Sequence, residues 1–260
     1  MINVVDRVST YPGRVKLTRA DGSSEYVTWE RADEPTVPGT PINKALFDSI
    51  AADMGLSADV TVYVSKAGSD TLGNGTSSNP FLTVMKAVNS LPKNLNGKKA
   101  AINLGAGTYN ETVKIDNFAS GTITINGTSG AGVTMTGLSV ENSKLLVDAI
   151  TLNVGSGGII VGTMGLLFSA TSNISVNGST NGITLRYGAV VEISNTLTIN
   201  NASNRAIQAQ YASTISVANL AGTGNNIGIH AGHSTVFVGA STMSATAMVV
   251  NNNSTVLIKT

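Results

Sequence analysis

The chain has 260 residues, with 16 Lys and Arg, 15 Asp and Glu, no Cys and a formal net charge of +1. The absence of Cys excludes a disulfide framework and thiolate chemistry, and the near-neutral charge gives no support for a nucleic-acid partner. Because 42% of the residues are hydrophobic and 28 are Gly, the composition excludes a disordered chain and favours an all-β protein rich in turns.

The charge is unevenly distributed along the chain. Residues 1–59 contain nine acidic and six basic residues, whereas residues 141–260 contain three and four. This difference predicts a boundary between a front segment, residues 1–58, and a second domain, residues 59–260. The start of the chain, MINVVDRVSTYPGRVKL, lacks the basic and apolar regions of a secretory signal, and no run of 18 apolar residues is present. We therefore expect no signal peptide and no membrane insertion.

The sequence of the front segment predicts a hairpin followed by a helix. GRVKLT and YVTWER alternate apolar and polar residues around Asp21-Gly22, which predicts a β-hairpin. Thr40 and Pro41 then begin a predicted helix that ends near Met54. Below roughly 40–60 residues a fold usually needs staples or a partner, so we expect this segment to dock onto another protein, unless it packs on its own chain. The expected docking residues are Trp29, Pro35, Pro38, Pro41 and Phe47.

Between the front segment and the repeats lies the stretch YVSKAGSDTLGNGTSSNPFLTVMKAVNSLP. It predicts a strand, a Gly-rich turn and then a helix at about residues 79–91, with Asn79 as its N-cap and Pro80 at its first position. Val84, Val88 and Leu91 then lie on one side of that helix. A stack of strands exposes an unpaired edge at its end, so we expect this helix to cap the stack.

From about residue 98 a short β signature repeats along the chain, and further short strands separated by Asn, Gly and Ser follow each copy. The spacing of the copies predicts a solenoid with rungs of about 20–24 residues that pair as parallel strands. Leucine-rich repeats share the period, but their LxxLxLxxN motif is absent. We also expect Asn195 and Asn219 to stack as an amide ladder. The copies begin at Lys98, Ser120, Ser143, Gly165, Ala189, Ser213, Ser234 and Ser254.

Two stretches resemble known families. The stretch from Tyr63 to Pro92, followed by INLGAGTYNETVKI, resembles the entry to right-handed parallel β-helices of the pectate-lyase type. The front, DRVSTYPGRVKLT to RADEPTVPGTPINKALFDSI, resembles an N-terminal segment of tail fibre and tail-spike proteins from phages and prophages of Gram-positive bacteria. The second resemblance implies a homotrimer in the virion tail, made in the host cytoplasm and attached through residues 1–58 to a tail or baseplate protein. Its expected target is bacterial surface polysaccharide.

The solenoid has few residues for hydrolytic chemistry. Cleavage of a glycosidic bond needs two carboxyl groups roughly 5–9.5 Å apart, and calcium-assisted elimination needs several acidic ligands. After Asp116 the only acidic residues in the sequence are Glu141, Asp148 and Glu192. Glu111 and Asp116 approach Glu141 across adjacent rungs, but their offsets do not match cleanly. We expect no catalytic pair within one chain, while a site shared between subunits of a trimer stays open.

The two histidines, His230 and His233, lie in GIHAGHSTVFVG. A spacing of three across a glycine turn, without a third ligand type nearby, is weak evidence for a metal site. We expect solvated or interface histidines, with no metal and no cofactor.

The middle rungs carry the outward surface best suited to a ligand. In GITLRYGA and AIQAQYAS, strand alternation directs the apolar residues inward and the polar residues outward, with a tyrosine at each corner. Tyrosine rings pack on the C–H faces of sugars, and amides and guanidinium groups bond to hydroxyls, so this stripe predicts a glycan-binding surface. A subunit interface or an ordinary surface is the alternative. The predicted binding residues are Arg186, Tyr187, Gln208, Gln210, Tyr211 and His230, with Thr184 also facing outward.

Three functions follow from these patterns and stay open. The first is a trimeric tail fibre or tail-spike protein that attaches a virion to bacterial glycan. The second is a polysaccharide depolymerase on the same fold, because lyases, hydrolases and attachment proteins share it. The third is a structural spacer that carries another receptor-binding chain. The final stretch, STVLIKT, stops within a rung, and we expect another chain to cover that rung.

Overall fold

A computed structural model describes residues 14–18, 22–28, 55–127 and 132–259 of the protein. The chain divides into two compact units, residues 1–54 and 55–260, a few residues before the boundary expected from charge. The predicted helix between Pro41 and Met54 lies outside the described residues. So do the expected docking residues Trp29, Pro35, Pro38, Pro41 and Phe47.

Strands make up most of the described structure. No helix among the described residues is long and apolar enough to cross a membrane. In chain order the elements are β1 (Arg14–Thr18), β2 (Ser24–Thr28), β3 (Val60–Val64), α1 (Val84–Asn89), β4 (Lys99–Leu104), β5 (Gly107–Asp116), β6 (Thr122–Gly127), β7 (Gly132–Glu141), β8 (Lys144–Asp148), β9 (Thr151–Val161), β10 (Leu166–Ser169), β11 (Asn173–Asn177), β12 (Asn181–Leu185), β13 (Val190–Asn200), β14 (Arg205–Gln210), β15 (Thr214–Ala221), β16 (Asn225–Gly232), β17 (Thr235–Ser241), β18 (Ala245–Asn252) and β19 (Thr255–Ile258).

The first unit contains the predicted hairpin. β1 and β2 pair antiparallel, with Arg14 opposite Thr28 and Thr18 opposite Ser24. Gly22, in the connection, has a φ of +82°, a conformation that glycine adopts without steric cost. The Asp-Gly signal between two alternating stretches therefore predicted this element correctly.

The second unit is a parallel β-helix. Strands β3 to β19 form one 17-stranded sheet that winds into a β-solenoid of about 7 turns. This agrees with the solenoid predicted from the repeat and is consistent with the right-handed parallel β-helix that the resemblance implies. Each turn contributes to three faces. Face A consists of β3, β4, β6, β8, β10, the first parts of β13, β15 and β17, and β19. Face B consists of the first parts of β5, β7 and β9, then β11 and the second parts of β13, β15 and β17. Face C consists of the second parts of β5, β7 and β9, followed by β12, β14, β16 and β18.

The register of face A reproduces the predicted period almost everywhere. Each predicted copy begins one position before the first paired residue of its strand, with a single exception. The second copy was predicted one residue too early, because Gly121 and not Ser120 precedes the strand. The equivalent positions are Lys99, Thr122, Lys144, Leu166, Val190, Thr214, Thr235 and Thr255.

Columns of aliphatic side chains fill the interior. Ile123, Leu145 and Leu167 stack in register on face A, and each has 0% of its surface exposed. Burying one such side chain contributes roughly 1.5–3 kcal/mol relative to leaving it in water. Because both neighbours of each residue are also aliphatic, the core is continuous from rung to rung. The parallel pairing thus converts a repeated sequence position into a stacked column.

The helix α1 is shorter than predicted and begins later. Thr83 is its N-cap, with the hydroxyl accepting a hydrogen bond from the Lys86 amide at 3.2 Å, so the predicted cap at Asn79 is wrong. The reason is that the chain stays extended at Phe81, which forms a bridge with Val64 and bonds to the Tyr63 carbonyl. The buried residues of α1 pack against β3, β4 and β5, the first strands of the solenoid. They are Val84, Ala87 and Val88, and Leu91 beyond the helix is buried as well.

The Glu111 carboxylate holds the first turn of α1 from β5. Its two oxygens accept hydrogen bonds from the amides of Val84 at 2.8 Å and Met85 at 3.0 Å. These amides have no partner within a helix, so the carboxylate satisfies them and its charge complements the helix dipole. Glu111, considered above as a neighbour of Glu141, therefore has a structural role.

Asp70 holds the chain that leads into α1. It accepts hydrogen bonds from the Leu82 amide at 2.8 Å, the Thr83 amide at 3.1 Å and the Thr83 hydroxyl at 2.7 Å. Burial raises the pKa of Asp70, but these hydrogen bonds and the charge of Lys86 outweigh burial and hold the pKa below its ordinary value. Two carboxylates thus secure α1 on the solenoid.

Asparagine ladders occur, but not in the predicted column. Asn219 lies opposite Thr196, because the register between β13 and β15 shifts after Ile193. Asn195 instead donates to the Thr171 carbonyl at 3.2 Å, so the predicted ladder is wrong. The observed side-chain pairs are Asn126 to Asn103, Asn142 to Asn117 and Asn201 to Asn177.

Candidate functional site

The predicted glycan-binding stripe lies on face C, on strands β12, β14 and β16. Thr184, Gln208 and His230 occupy equivalent positions in successive rungs. The apolar residues that were predicted to face inward are fully buried. These inward residues are Ile183, Leu185, Ile207 and Ala209.

The stripe is recessed and not flat. Only 3% of Thr184 and 7% of Gln208 are exposed, although alternation turns both away from the core. They therefore form the floor of the surface. Gln210 and His230 are half-buried, and Arg186 is exposed at the side. The Gln208 amide donates to the Gln210 side-chain carbonyl at 2.9 Å, which fixes both amides.

Two tyrosines form one edge of the stripe. The rings of Tyr187 and Tyr211 stack with centroids 4.9 Å apart and an interplanar angle of 5°, and 55% and 52% of their surfaces are exposed. The separation matches the spacing of neighbouring strands, because the two residues stand at the same corner of successive rungs. We call Tyr187 and Tyr211 the tyrosine pair.

The backbone at this corner is unusual for tyrosine. Six stacked residues at the corner between faces C and A adopt positive φ, a region in which Asn and His are several-fold enriched among non-glycine residues. In the rung between Asn142 and Tyr187, the residue with positive φ is Met164, one position later in the chain than the stacked corner position. Four of the six are Asn or His, and the tyrosine pair, each with a φ of 57°, makes the exception. A bulky residue there is an outlier and points to a reason other than backbone geometry. The six are Asn117, Asn142, Tyr187, Tyr211, His233 and Asn253.

Strands β12, β14 and β16 also contain buried polar atoms without partners. Asn181 Oδ1, Arg205 Nε and His230 Nδ1 are buried and have no hydrogen-bond partner among the described residues. Asn181 and Arg205 lie opposite each other in β12 and β14. Burial lowers the pKa of His230, and the charge of Arg205 lowers it further, so the imidazole is neutral at neutral pH. Buried polar atoms without partners are costly, and ligand hydroxyls would satisfy them.

Sequence reasoning missed Asn181 and Arg205. Both precede the start of the next face-A strand by the same distance, eight residues before Ala189 and Ser213 respectively. The two residues of the tyrosine pair likewise lie two residues before Ala189 and Ser213 respectively, so counting back from the face-A strands aligns both pairs. Asn181 and Arg205 were overlooked because both stand at the start of their strands, outside the stretches compared.

The acidic residues are arranged differently from the prediction. Asp116 and Glu141 lie directly opposite each other in β5 and β7, so their offsets do match. Their side chains nevertheless engage different neighbours. Asp116 forms a salt bridge with Lys93 in an earlier part of the chain, at 3.0 Å. Glu141 lies against Gly162 in the following rung, where an added Cβ would contact its carboxylate oxygen at 2.8 Å.

The other two carboxylates are separated. Asp148 lies in β8 and accepts a hydrogen bond from the Thr171 hydroxyl, whereas Glu192 lies in β13 with β10 between them. Across the described ranges, no group of three or more His, Asp and Glu side chains is placed to hold a metal ion. His233 stands at the corner, while His230 lies in the stripe.

Comparison with protein-family models, with curated proteins and with solved structures finds no match to this chain.

Proposed function

We propose that this protein is a receptor-binding component of a phage tail or phage-tail-like particle, and that its face-C stripe binds bacterial surface glycan. In this proposal the chains form a homotrimer, residues 1–58 attach to a tail or baseplate protein, and the β-helix contacts the cell. Support for the attachment role comes from the resemblance of the front segment to tail fibre and tail-spike proteins.

The tyrosine pair is the observation that carries the glycan-binding role. Two exposed, parallel rings stack at the strand spacing beside amide, guanidinium and imidazole groups. Ring faces pack on sugar C–H groups, and the polar side chains supply donors and acceptors for hydroxyls. The rings occupy a backbone conformation that disfavours tyrosine, which supports a role in binding and not in folding.

A glycan array with the intact protein tests this proposal. We expect selective binding to bacterial surface polysaccharides and at least a tenfold loss, about 1.4 kcal/mol, in the double variant Tyr187→Asn with Tyr211→Asn. The matched control is His233→Asn at the same corner, which we expect to leave affinity within about twofold. Unchanged binding by the tyrosine variant, or no binding by the intact protein, contradicts the proposal.

Depolymerase activity is the second candidate, favoured by the direct opposition of Asp116 and Glu141. It predicts that incubation with the bound polysaccharide yields shortened chains, detected by size-exclusion chromatography. The variant Asp116→Asn should then lose at least a hundredfold in rate, in line with the loss of an acid–base group. Binding without shortening, which we expect, supports attachment, whereas shortening that Asp116→Asn abolishes establishes the enzyme.

A further inference from the structure

A second candidate site lies on the outer side of face A, near the first rungs of the solenoid. It is a groove of about 450 Å³ and shares no residue with the face-C stripe. We call it the lysine groove. Its lining consists of Asp59, Gly97, Lys98, Lys99, Thr122, Thr124, Lys144, Leu146 and Phe168.

The lysine groove carries excess positive charge. Lys98, Lys99 and Lys144 contribute three ammonium groups, and none of them is in a salt bridge among the described residues. Asp59 is the acidic residue of the lining, and it accepts a hydrogen bond from the backbone amide of Lys99 at 2.9 Å. Lys99 lies opposite Thr122, and Lys144 follows one rung later, so the two lysine backbones are about 10 Å apart.

A buried hydroxyl lies between these lysines. Thr124 has 0% of its surface exposed, and its Oγ1 has no hydrogen-bond partner among the described residues. Leaving such a hydroxyl unpaired is unfavourable. An oxygen of a bound ligand would remove that cost, because a hydroxyl both donates and accepts. Thr124 thus points to a ligand with polar oxygens, independently of the charge.

The far end of the lysine groove is apolar. Thr124, Leu146 and Phe168 occupy equivalent positions in three successive rungs, so the floor changes from hydroxyl to aliphatic to aromatic along the axis. The Lys144 ammonium lies 5.6 Å from the centre of the Phe168 ring. Aromatic and aliphatic surface beside cations suits a molecule with an anionic group and an adjoining C–H face.

We infer that the lysine groove binds an anionic saccharide or polyol through its phosphate or carboxylate. Lys98, Lys99 and Lys144 hold the anion, Thr124 pairs with a neighbouring oxygen, and Phe168 contacts the carbon face. The groove is a short pocket ending in apolar residues, and the chain as a whole carries a net charge of only +1, so a saccharide fits better than a nucleic-acid strand. This inference does not rest on the proposed attachment role.

Isothermal titration of the full chain tests the inference with four probes of similar length. They are a glycerol-phosphate oligomer, an oligogalacturonate, a neutral maltooligosaccharide and a single-stranded oligodeoxynucleotide. We expect binding to at least one of the first two and none to the neutral probe. Phosphate-only binding identifies the phosphate as the anion, and oligogalacturonate-only binding identifies the carboxylate.

The variants localise the binding. Lys99→Gln with Lys144→Gln should weaken it at least tenfold, and Thr124→Val, which keeps the side-chain shape, about threefold. The control Lys114→Gln with Lys259→Gln removes the same charge outside the lysine groove and should change affinity by less than about twofold. An equal loss in this control shows general electrostatic attraction and overturns the inference. So does the absence of binding to both anionic saccharide probes, or equally tight, equally variant-sensitive binding of the oligonucleotide.

Discussion

At the corner residues of the solenoid, the backbone conformation favours one type of side chain, and the tyrosine pair departs from it. Each of the six stacked corner positions has a φ between 44° and 57°, and Asn or His at four of them suits that conformation. In two adjacent rungs the same position holds a tyrosine, a bulky residue that this conformation disfavours. A substitution toward asparagine therefore tests surface function without a large structural penalty.

We predict that Tyr187→Asn changes the free energy of unfolding by less than about 1 kcal/mol. The loss of ring stacking costs about 0.5–1.5 kcal/mol, and relief of the left-handed conformation, which costs an ordinary residue about 1–2 kcal/mol, offsets it. Urea denaturation followed by circular dichroism measures the change. The comparison variant Tyr187→Ala loses the ring but keeps the strain, so it should be less stable than Tyr187→Asn. A loss above about 3 kcal/mol in Tyr187→Asn would mean that the tyrosine is structural.

Gly222 is a residue at which the backbone admits no side chain. Its φ is +136°, and a Cβ there would overlap the carbonyl oxygen of Ile199. We predict that Gly222→Ala destabilises the protein by more than about 3 kcal/mol, because strain and overlap add. Gly232→Ala is the control, since its Cβ would only meet Gln210 Cγ at 4.0 Å. Equal denaturation midpoints for the two variants would contradict this account.

At the scale of elements, α1 shows that tertiary contacts decide where a helix begins. Asn79-Pro80 is a good local start signal, yet the chain pairs with the first strands as far as Phe81 before Thr83 caps the helix. The carboxylates of Asp70 and Glu111 then bind the amides around that start. These partners are 12 to 27 residues away in sequence, so a local pattern contains no information about them.

The hydrogen bonds of Asp70 predict a pH-dependent contribution to stability. The folded-state pKa lies below the ordinary value of 3.8, so the contribution is present above that value and is lost as the pH falls through the folded-state pKa. We expect Asp70→Asn to lower the free energy of unfolding by about 1 kcal/mol at neutral pH, a figure reduced for solvent screening.

Melting temperatures measured from neutral pH to about pH 2 test this expectation. The gap between the intact protein and Asp70→Asn should close as the pH falls below 3.8. Glu192→Gln, a change at an exposed carboxylate on face A, serves as the control and should show no such gap at neutral pH. A gap for Asp70→Asn that persists at the lowest pH would refute the assignment.

The parallel β-helix itself was predictable, because a period of about 20–24 residues appears directly as spacing between equivalent strands. The stripe was partly predictable: equal distances to the next face-A strand placed Tyr187 beside Tyr211, and His230 was expected near the following rung, where it lies opposite Gln208. Two properties of the structure could not be predicted from the repeat. Offset counting cannot show that Thr184 and Gln208 are recessed, since recess depends on neighbouring side chains, and it fails wherever the register shifts, as at Asn219.

At the scale of the whole molecule, residues 55–260 form a compact unit of their own. Residues 55–260 contain the buried core, and α1 covers its first strands. We predict that this fragment folds alone, with a melting temperature within about 3 °C of the full chain, because the hydrophobic core that supplies most of the stability is retained. Circular dichroism measures both values. A fragment that unfolds more than about 10 °C lower would show that the first unit stabilises the solenoid.

The proposed assembly also belongs to this scale. Light scattering of the full chain at micromolar concentration should report a mass near three chains. A fragment that lacks the proposed attachment segment, residues 1–58, should no longer join the particle. A monomer, or incorporation of the fragment at the level of the full chain, would contradict the trimer or the docking role respectively.

The variable rung length of face A has a consequence for how such a chain changes over time. The separation of equivalent positions varies from rung to rung while the strands stay in register, so the corners absorb the differences. Insertions and deletions at a corner therefore change the exposed surface without shifting any buried column. The loss of one residue within a strand would instead turn the buried side chains that follow it outward. Selection for a different surface can therefore act on the corners while the interior stays the same.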